Sequence, residues 1–240
     1  MGTHNKRPNV LITAYYNQVF QEVHYTGWLR KFTSSYHTKI EQPFRALDYS
    51  KILEVGANEG EHLKFVQSDF SEYFMVDISY PTEVEVIQLS DDLGLRSNRK
   101  VIKERGDAES LDFKDNTFDR AVYSCVLNHL GDSDKGLSEL RRVVKHGGSI
   151  SIYLPCDPGI VYRALRHIFS HKKQAKLSKK SMPEIKYLWS LEHKNHFAGL
   201  IHQVKWVFRH DQVIVKRYPI PKLSWNFNLY FIAHVYLNKE

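Results

Sequence analysis

Cysteine is scarce in this chain, with only Cys125 and Cys156 among its 240 residues. Two thiols cannot build the disulfide framework of a small secreted domain, and no Cys/His spacing matches a structural zinc site. The expectation is a reduced chain without a metal. Long hydrophobic runs are missing too. No stretch approaches the ~18 apolar residues that a membrane span needs. "NVLITAYY" near the start is too short for a signal-peptide core and is followed by polar residues. No internal repeat or low-complexity tract appears. What remains is a cytoplasmic enzyme or binding protein, read as a single domain over 1–240. Its 42% hydrophobic share is enough for a real core.

Acidic residues are short in the last third. The net charge of +7 hides this: residues 156–240 hold 15 Lys and Arg against five Asp and Glu, with seven of the 13 histidines. A basic, aromatic-rich end suits an anionic partner, whether a phosphorylated small molecule, nucleic acid or a membrane surface. It equally suits a solvated basic face.

What is present has a clear rhythm. From Ala14 to Glu41 apolar and aromatic residues recur at helical spacing, and Ser34 or Ser35 can cap a second helix through Ile40 and Phe44. This helical cap over 1–49 is either packing or a lid, with Tyr16, Tyr36 and His37 as pocket residues in the second case. Lys51 to Phe65 then reads as a buried strand (Ile52, Leu53, Val55), a glycine turn from Gly56 to Gly60, and a helix from about Glu61. Strands follow at 73–76, 101–104, 118–126 and 150–154, with helices at 81–93 and 138–145 between them. Alternating strands and helices predict a parallel sheet with right-handed crossovers. Residues 156–200 break the rhythm with basic helices. Val204–Phe208, Val213–Lys216 and Trp225–Tyr236 read as closing strands within 201–240.

The glycine turn narrows the ligand. A phosphate-binding P-loop needs four residues between its glycines and a following lysine; Gly56 and Gly60 enclose three, and no lysine follows. A dinucleotide turn needs glycines at positions one, three and six, where this chain has Gly56, Asn58 and Glu61. Glu54, just before the turn, disfavours a pyrophosphate and suits a ligand with a cationic amine.

"ILEVGANEG" resembles the first motif of class I methyltransferases that use S-adenosylmethionine (SAM). Asp77 ends the second strand where that family places its ribose-holding carboxylate. "GDAESLDFKDNTFD" and "LRRVVKHGGSISIYLP" are similar to two further family segments, in correct order over about residues 50–155. The resemblance implies an α/β, Rossmann-like, doubly wound seven-stranded sheet, parallel with an antiparallel C-terminal strand. A helical N-terminal cap precedes it, and a basic helical insertion follows strand five. It implies SAM as cofactor and S-adenosylhomocysteine as product. Asp77 and its neighbour Ile78 would serve the ribose side, and Glu54, Gly56, Ala57, Asn58 and Gly60 the methionine side. Asp107 and Ala108 would face the adenine, with Ser124 and Cys125 beside the ligand. Asn58 replaces the usual glycine, and asparagine tolerates positive φ better than most residues.

SAM brings its own activated methyl group, so the protein must align an acceptor and take its proton where needed. His129, just beyond the fourth strand, is the leading base; His37, His193 and His196 are further candidates. The Asn/Asp-Pro-Pro-Tyr/Phe segment of nucleobase amino-methylating enzymes is absent; for cytosine methylation Cys156 does follow strand five, but the companion Pro-Cys after strand four is missing. The looser likeness of the insertion to glycan- and metabolite-modifying methyltransferases implies O-methylation of a sugar or phosphate-linked small molecule, met by Arg163, Arg166, Lys172 and Lys173. RNA or protein methylation on the basic face, N- or C-methylation of another small molecule, peripheral membrane contact and a non-catalytic SAM-binding scaffold are the alternatives.

Overall fold

The computed structural model describes residues 22–23, 27–89 and 99–238. The candidate Tyr16 lies outside them. Eight strands form one sheet: β1 (Asp48–Val55), β2 (Asp69–Asp77), β3 (Glu85–Gln88), β4 (Lys100–Arg105), β5 (Phe118–Ser124), β6 (Val144–Pro155), β7 (Gln212–Tyr218) and β8 (Tyr230–Tyr236). Their order is β3-β4-β2-β1-β5-β6-β8-β7. β1, β2, β4, β5 and β6 run parallel, while β3 and β8 are antiparallel to their neighbours. The order reverses between β1 and β5, so the crevice beyond their carboxyl ends is the natural ligand position.

Alternation along the central strands sends side chains to two cores. On one face Leu53, Val55, Ala121, Tyr123, Ile150 and Ile152 meet α2 (Ser133–Val143) and α6 (Phe197–Val207). On the other, Val122, Tyr153 and Ile232 meet Tyr36 and Ile40 of α1 (Gly27–Glu41). The insertion contributes α3 (Ile160–Leu165), a π-helical turn (Arg166–His171), α4 (Lys172–Ser178) and α5 (Met182–Glu192). Asp132 caps α2 by accepting from the Lys135 N–H, and Ser181 with Glu184 forms a complete capping box on α5.

Several local expectations change. The sheet has eight strands, not seven, because part of the expected 81–93 helix is the edge strand β3. β-branched Val86 and Ile87 favour an extended chain there, and Glu83 and Glu85 keep the exposed edge charged. Only a 3-10 turn, His62–Phe65, follows the glycine turn, since β2 begins at Asp69 and leaves no length for a helix. α1 runs unbroken through Ser34 and Ser35. Val204 belongs to α6, where Phe197, Leu200 and Val204 share the buried face. Short apolar runs carry no period that separates strand from helix. Trp225 sits in a 3-10 turn ahead of β8.

Candidate active site

The turn after β1 is built on three residues in the left-handed region: Gly56 (φ 73°), Asn58 (φ 46°) and Gly60 (φ 76°). A Cβ at Gly56 would come within 2.6 Å of Val126 Cγ2, on the loop after β5. The two loops thus pack directly together at the switch point. Gly56 N–H donates to the Val76 carbonyl at 2.7 Å and Gly106 N–H to the Asp77 carbonyl at 3.2 Å, tying the ends of β1, β2 and β4 into one edge.

Asp77 occupies the centre of that edge. Its Oδ2 accepts the Asn58 N–H at 3.0 Å, and its Oδ1 accepts the Ser79 N–H and hydroxyl at 2.9 and 2.7 Å. A carboxylate offers about four lone-pair sites, so capacity remains for a diol. Ile78 beside it is 39% exposed, an apolar surface of the kind a purine covers. The half-buried Asp107 accepts the Glu109 N–H at 2.9 Å, while Ala108 is buried with its carbonyl accepting from Tyr123 Oη at 3.3 Å. The Tyr80 hydroxyl donates to the Asn58 carbonyl and pins the turn from its far side. Glu54 sits differently from its expected place beside a ligand amine. It is 1% exposed beneath the turn, accepts from Tyr73 Oη at 2.9 Å, and burial raises it to about 7. It supports the turn from below. The donor set fits SAM: a glycine turn, a half-buried carboxylate on each of two adjacent strand ends, and exposed apolar surface between them.

The other half of the edge follows β5 and β6. Cys125 takes φ 64°, and burial pushes its thiol up to about 12. Its Sγ lies 3.7 Å from Asn128 Oδ1. Asn128 Nδ2 is 3.3 Å from His129 Nε2 and 3.4 Å from both ring nitrogens of His193. His129 and His193 meet edge to face at 5.0 Å. Burial, then His193, lowers His129 to about 3; its Nδ1–H donates to the Glu192 carbonyl at 3.1 Å. Asp157, just past β6, accepts from His193 Nδ1–H at 3.0 Å and from Trp189 Nε1–H at 3.3 Å, and pairs with Arg166 Nη1 at 2.8 Å. Burial would raise Asp157, but the His193 hydrogen bond and Arg166 hold it at about 2. The His193 ring stacks on Trp189 at 3.7 Å.

The other expected bases lie elsewhere. His37 shares a 2.8 Å hydrogen bond with His62 under α1, stacks on Phe65, and is held well below the ordinary histidine range by burial. His196 is exposed at the start of α6. Of the residues expected at the substrate, Arg163 and Lys172 are exposed, Lys173 Nζ donates to the Glu22 carbonyl at 2.5 Å, and Arg166 turns inward to Asp157. Among the described residues, no group of three or more His, Cys, Asp or Glu is gathered for a metal ion.

Comparison with known proteins agrees with the donor geometry. A model of the methyltransferase domain family matches residues 53–152. Residues 53–152 are a class I SAM-dependent methyltransferase domain. A demethylmenaquinone methyltransferase of Desulfitobacterium hafniense is similar, 34% identical over 111 residues, 45% of this chain and 40% of its own. An uncharacterized protein of Methanocaldococcus jannaschii is 29% identical over 152 residues, 62% of this chain and 64% of its own. The chain spans less than two thirds of the length of either relative. In fold, a SAM-dependent methyltransferase of Archaeoglobus fulgidus superposes with a TM-score of 0.55 at 14% identity, over 92% of this chain and 99% of that one.

Sequence reasoning missed several residues around this methyltransferase domain. Asp157 carried a signal, an acid directly after the final parallel strand in "LPCDPG". Trp189 carried none, and Arg166, expected at the substrate, is paired with Asp157 instead, since only the folding back of the insertion brings these two side chains beside that carboxylate.

Proposed function

We propose that this protein transfers the methyl group of SAM to a hydroxyl of a small-molecule acceptor, with His193 receiving the displaced proton. The observation that carries the donor half is the pair Asp77 and Asp107 flanking exposed Ile78 beside the glycine turn. Asp77 accepts from the ribose hydroxyls, a charge-assisted contact in a half-buried place. The backbone of Gly56 and Ala57 admits the methionine portion closely. Asp107 accepts from the adenine amino group, and Ile78 covers the purine face. Bound there, SAM supplies a methyl group on a positively charged sulfur.

On the acceptor half, Asp157 holds His193 Nδ1–H, so Nε2 is the nitrogen left to take a proton. Burial keeps His193 below the usual histidine range, against the pull of Asp157, so the ring is neutral and able to accept near neutral pH. His129, at about 3, is a weaker base and serves as pocket lining. A sugar-type hydroxyl acceptor suits the polar side chains of Asn128, His193 and Asp157 at this edge. Carbon methylation of a flat ring is the second reading. It is favoured by the demethylmenaquinone relative and by Tyr36, Tyr153 and Tyr230, whose rings follow one another at 4.2 and 5.3 Å beside Cys125.

Calorimetric titration with SAM and with S-adenosylhomocysteine tests the donor site. Both bind the wild type, and Asp77→Ala weakens them ~10–100-fold, the size expected for a lost charge-assisted hydrogen bond. Absence of binding to the folded wild type removes the enzyme reading.

A further inference from the structure

The insertion wears its polarity inside out. α3, the π turn and α4 make one continuous helical rod from Ile160 to Ser178, since the residues at each junction keep right-handed helical angles. Its inward side carries Arg166, paired with Asp157, and buries Ser170, His171 and Gln174. Its outward side carries Ile160, 62% exposed, and Ile168, 48% exposed, with Arg163, Ala164, His167, Lys172 and Lys176 exposed around them.

These outward residues recur every three or four positions. An α-helix overshoots a spacing of four by about 40°, since each residue turns ~100°. The wider π turn offsets that drift and keeps Ala164, Ile168 and Lys172 along one line. Charge is equally one-sided. Residues 158–183 hold seven Lys and Arg and no Asp or Glu.

We propose that this outward face docks on an anionic phospholipid surface. Aliphatic side chains between lysines are the pattern of a helix lying in the membrane interface, its apolar groups in the acyl boundary and its cations among the headgroups. A single-stranded RNA surface instead needs a series of aromatic platforms on which bases stack, whereas the most exposed apolar groups of this rod are the aliphatic Ile160 and Ile168, with one phenyl ring, Phe169, beside them. The inward side touches the acceptor edge: Arg166 pairs with Asp157 at 2.8 Å, and Tyr162 packs against the buried cluster that includes Cys156. Docking therefore sets the acceptor edge one helix diameter, ~10 Å, from the lipid headgroups, and the acceptor is a molecule held at that surface. This last step rests on the methyltransferase reading above; the docking itself does not.

The test is co-sedimentation of the full chain with vesicles of phosphatidylcholine, alone or mixed with phosphatidylglycerol. SAM calorimetry is run on the same samples. The wild type binds the anionic vesicles, and binding falls as salt rises. Ile160→Glu/Ile168→Glu and Lys172→Gln/Lys176→Gln each weaken it at least ~tenfold, while SAM affinity and melting temperature hold. Failure of the wild type to bind anionic vesicles overturns the proposal. So does equal binding by both variants, or retention of an RNA homopolymer in place of vesicles. Vesicle binding without SAM binding supports the docking and removes the methyltransferase reading. SAM binding without vesicle binding does the reverse.

Discussion

Two buried clusters flank the sheet edge, and they are built alike. Under α1, Glu41 Oε1 accepts from Arg120 Nη2–H at 2.9 Å and from His62 Nε2–H at 2.8 Å, with His37 as the second histidine. In the insertion, Asp157 pairs with Arg166 and accepts from His193, with His129 as the second histidine. Each arginine lies 4.2 Å over an aromatic ring, Phe44 in one cluster and Trp189 in the other. Each carboxylate is held at about 2 against burial, Glu41 by Arg120 and then His62, Asp157 by His193 and then Arg166.

The difference is position. Arg120 sits mid-strand on β5, 0% exposed, and joins α1 to β6 through Ser151 Oγ at 3.3 Å and to the glycine turn through Glu41 and His62. Asp157 follows the carboxyl end of β6, beside Asn128 and Cys125, where a ligand belongs. The same triad is therefore a clamp in one place and, in the proposed function, a proton-handling group in the other. Residue type alone does not separate the two roles.

The two arginines differ most in what their loss does to stability. Arg120→Met leaves Glu41 buried and unpaired from its arginine, a loss of ~3–5 kcal/mol read by chemical denaturation. Arg166→Met, at a side chain 14% exposed to solvent, loses less than half as much. Equal losses would make both clusters clamps. The two carboxylates differ in what they do to a histidine proton. Asp157→Asn moves the His193 proton between ring nitrogens, seen in its imidazole nitrogen resonances, and lowers turnover about tenfold or more. Glu41→Gln leaves those resonances unchanged. An unshifted His193 spectrum in Asp157→Asn removes the dyad.

The smallest effect concerns pH and has two signs. Glu54 is raised to about 7 in the fold from an ordinary 4.5, so its stabilisation is present at low pH and is lost as pH rises through about 7. Glu54→Gln should gain stability relative to wild type between pH 5 and 8. His129, lowered to about 3, and His171 and His234, each lowered to about 4, act oppositely. Their contribution is complete above about 6.5 and is lost as pH falls toward 4 and 3. Melting curves across pH 3–8 should show the acid loss in both proteins and the alkaline gain only in Glu54→Gln.

Much of the donor half was legible because it is local. Gly56, Asn58 and Gly60 take positive φ within one five-residue turn, and Asp77 stands at the end of the next strand. Spacing along the chain is enough to find such features. Elements of ambiguous period were less legible: β3 and α6 were decided by what they packed against. Glu54 was placed correctly in sequence, but its direction was not, because alternation along β1 sends it to the face shared with Tyr73.

Period, turn chemistry and short spacing are enough to specify the parallel sheet, the glycine turn and the carboxylates that suit SAM. Which histidine meets which carboxylate, and that the basic insertion turns Arg166 inward and its isoleucines outward, follow from how the layers pack. Those pairings join residues far apart in the chain, as His193 joins Asp157 across 36 positions. Burial, which sets their protonation, exists only once the layers have closed around them.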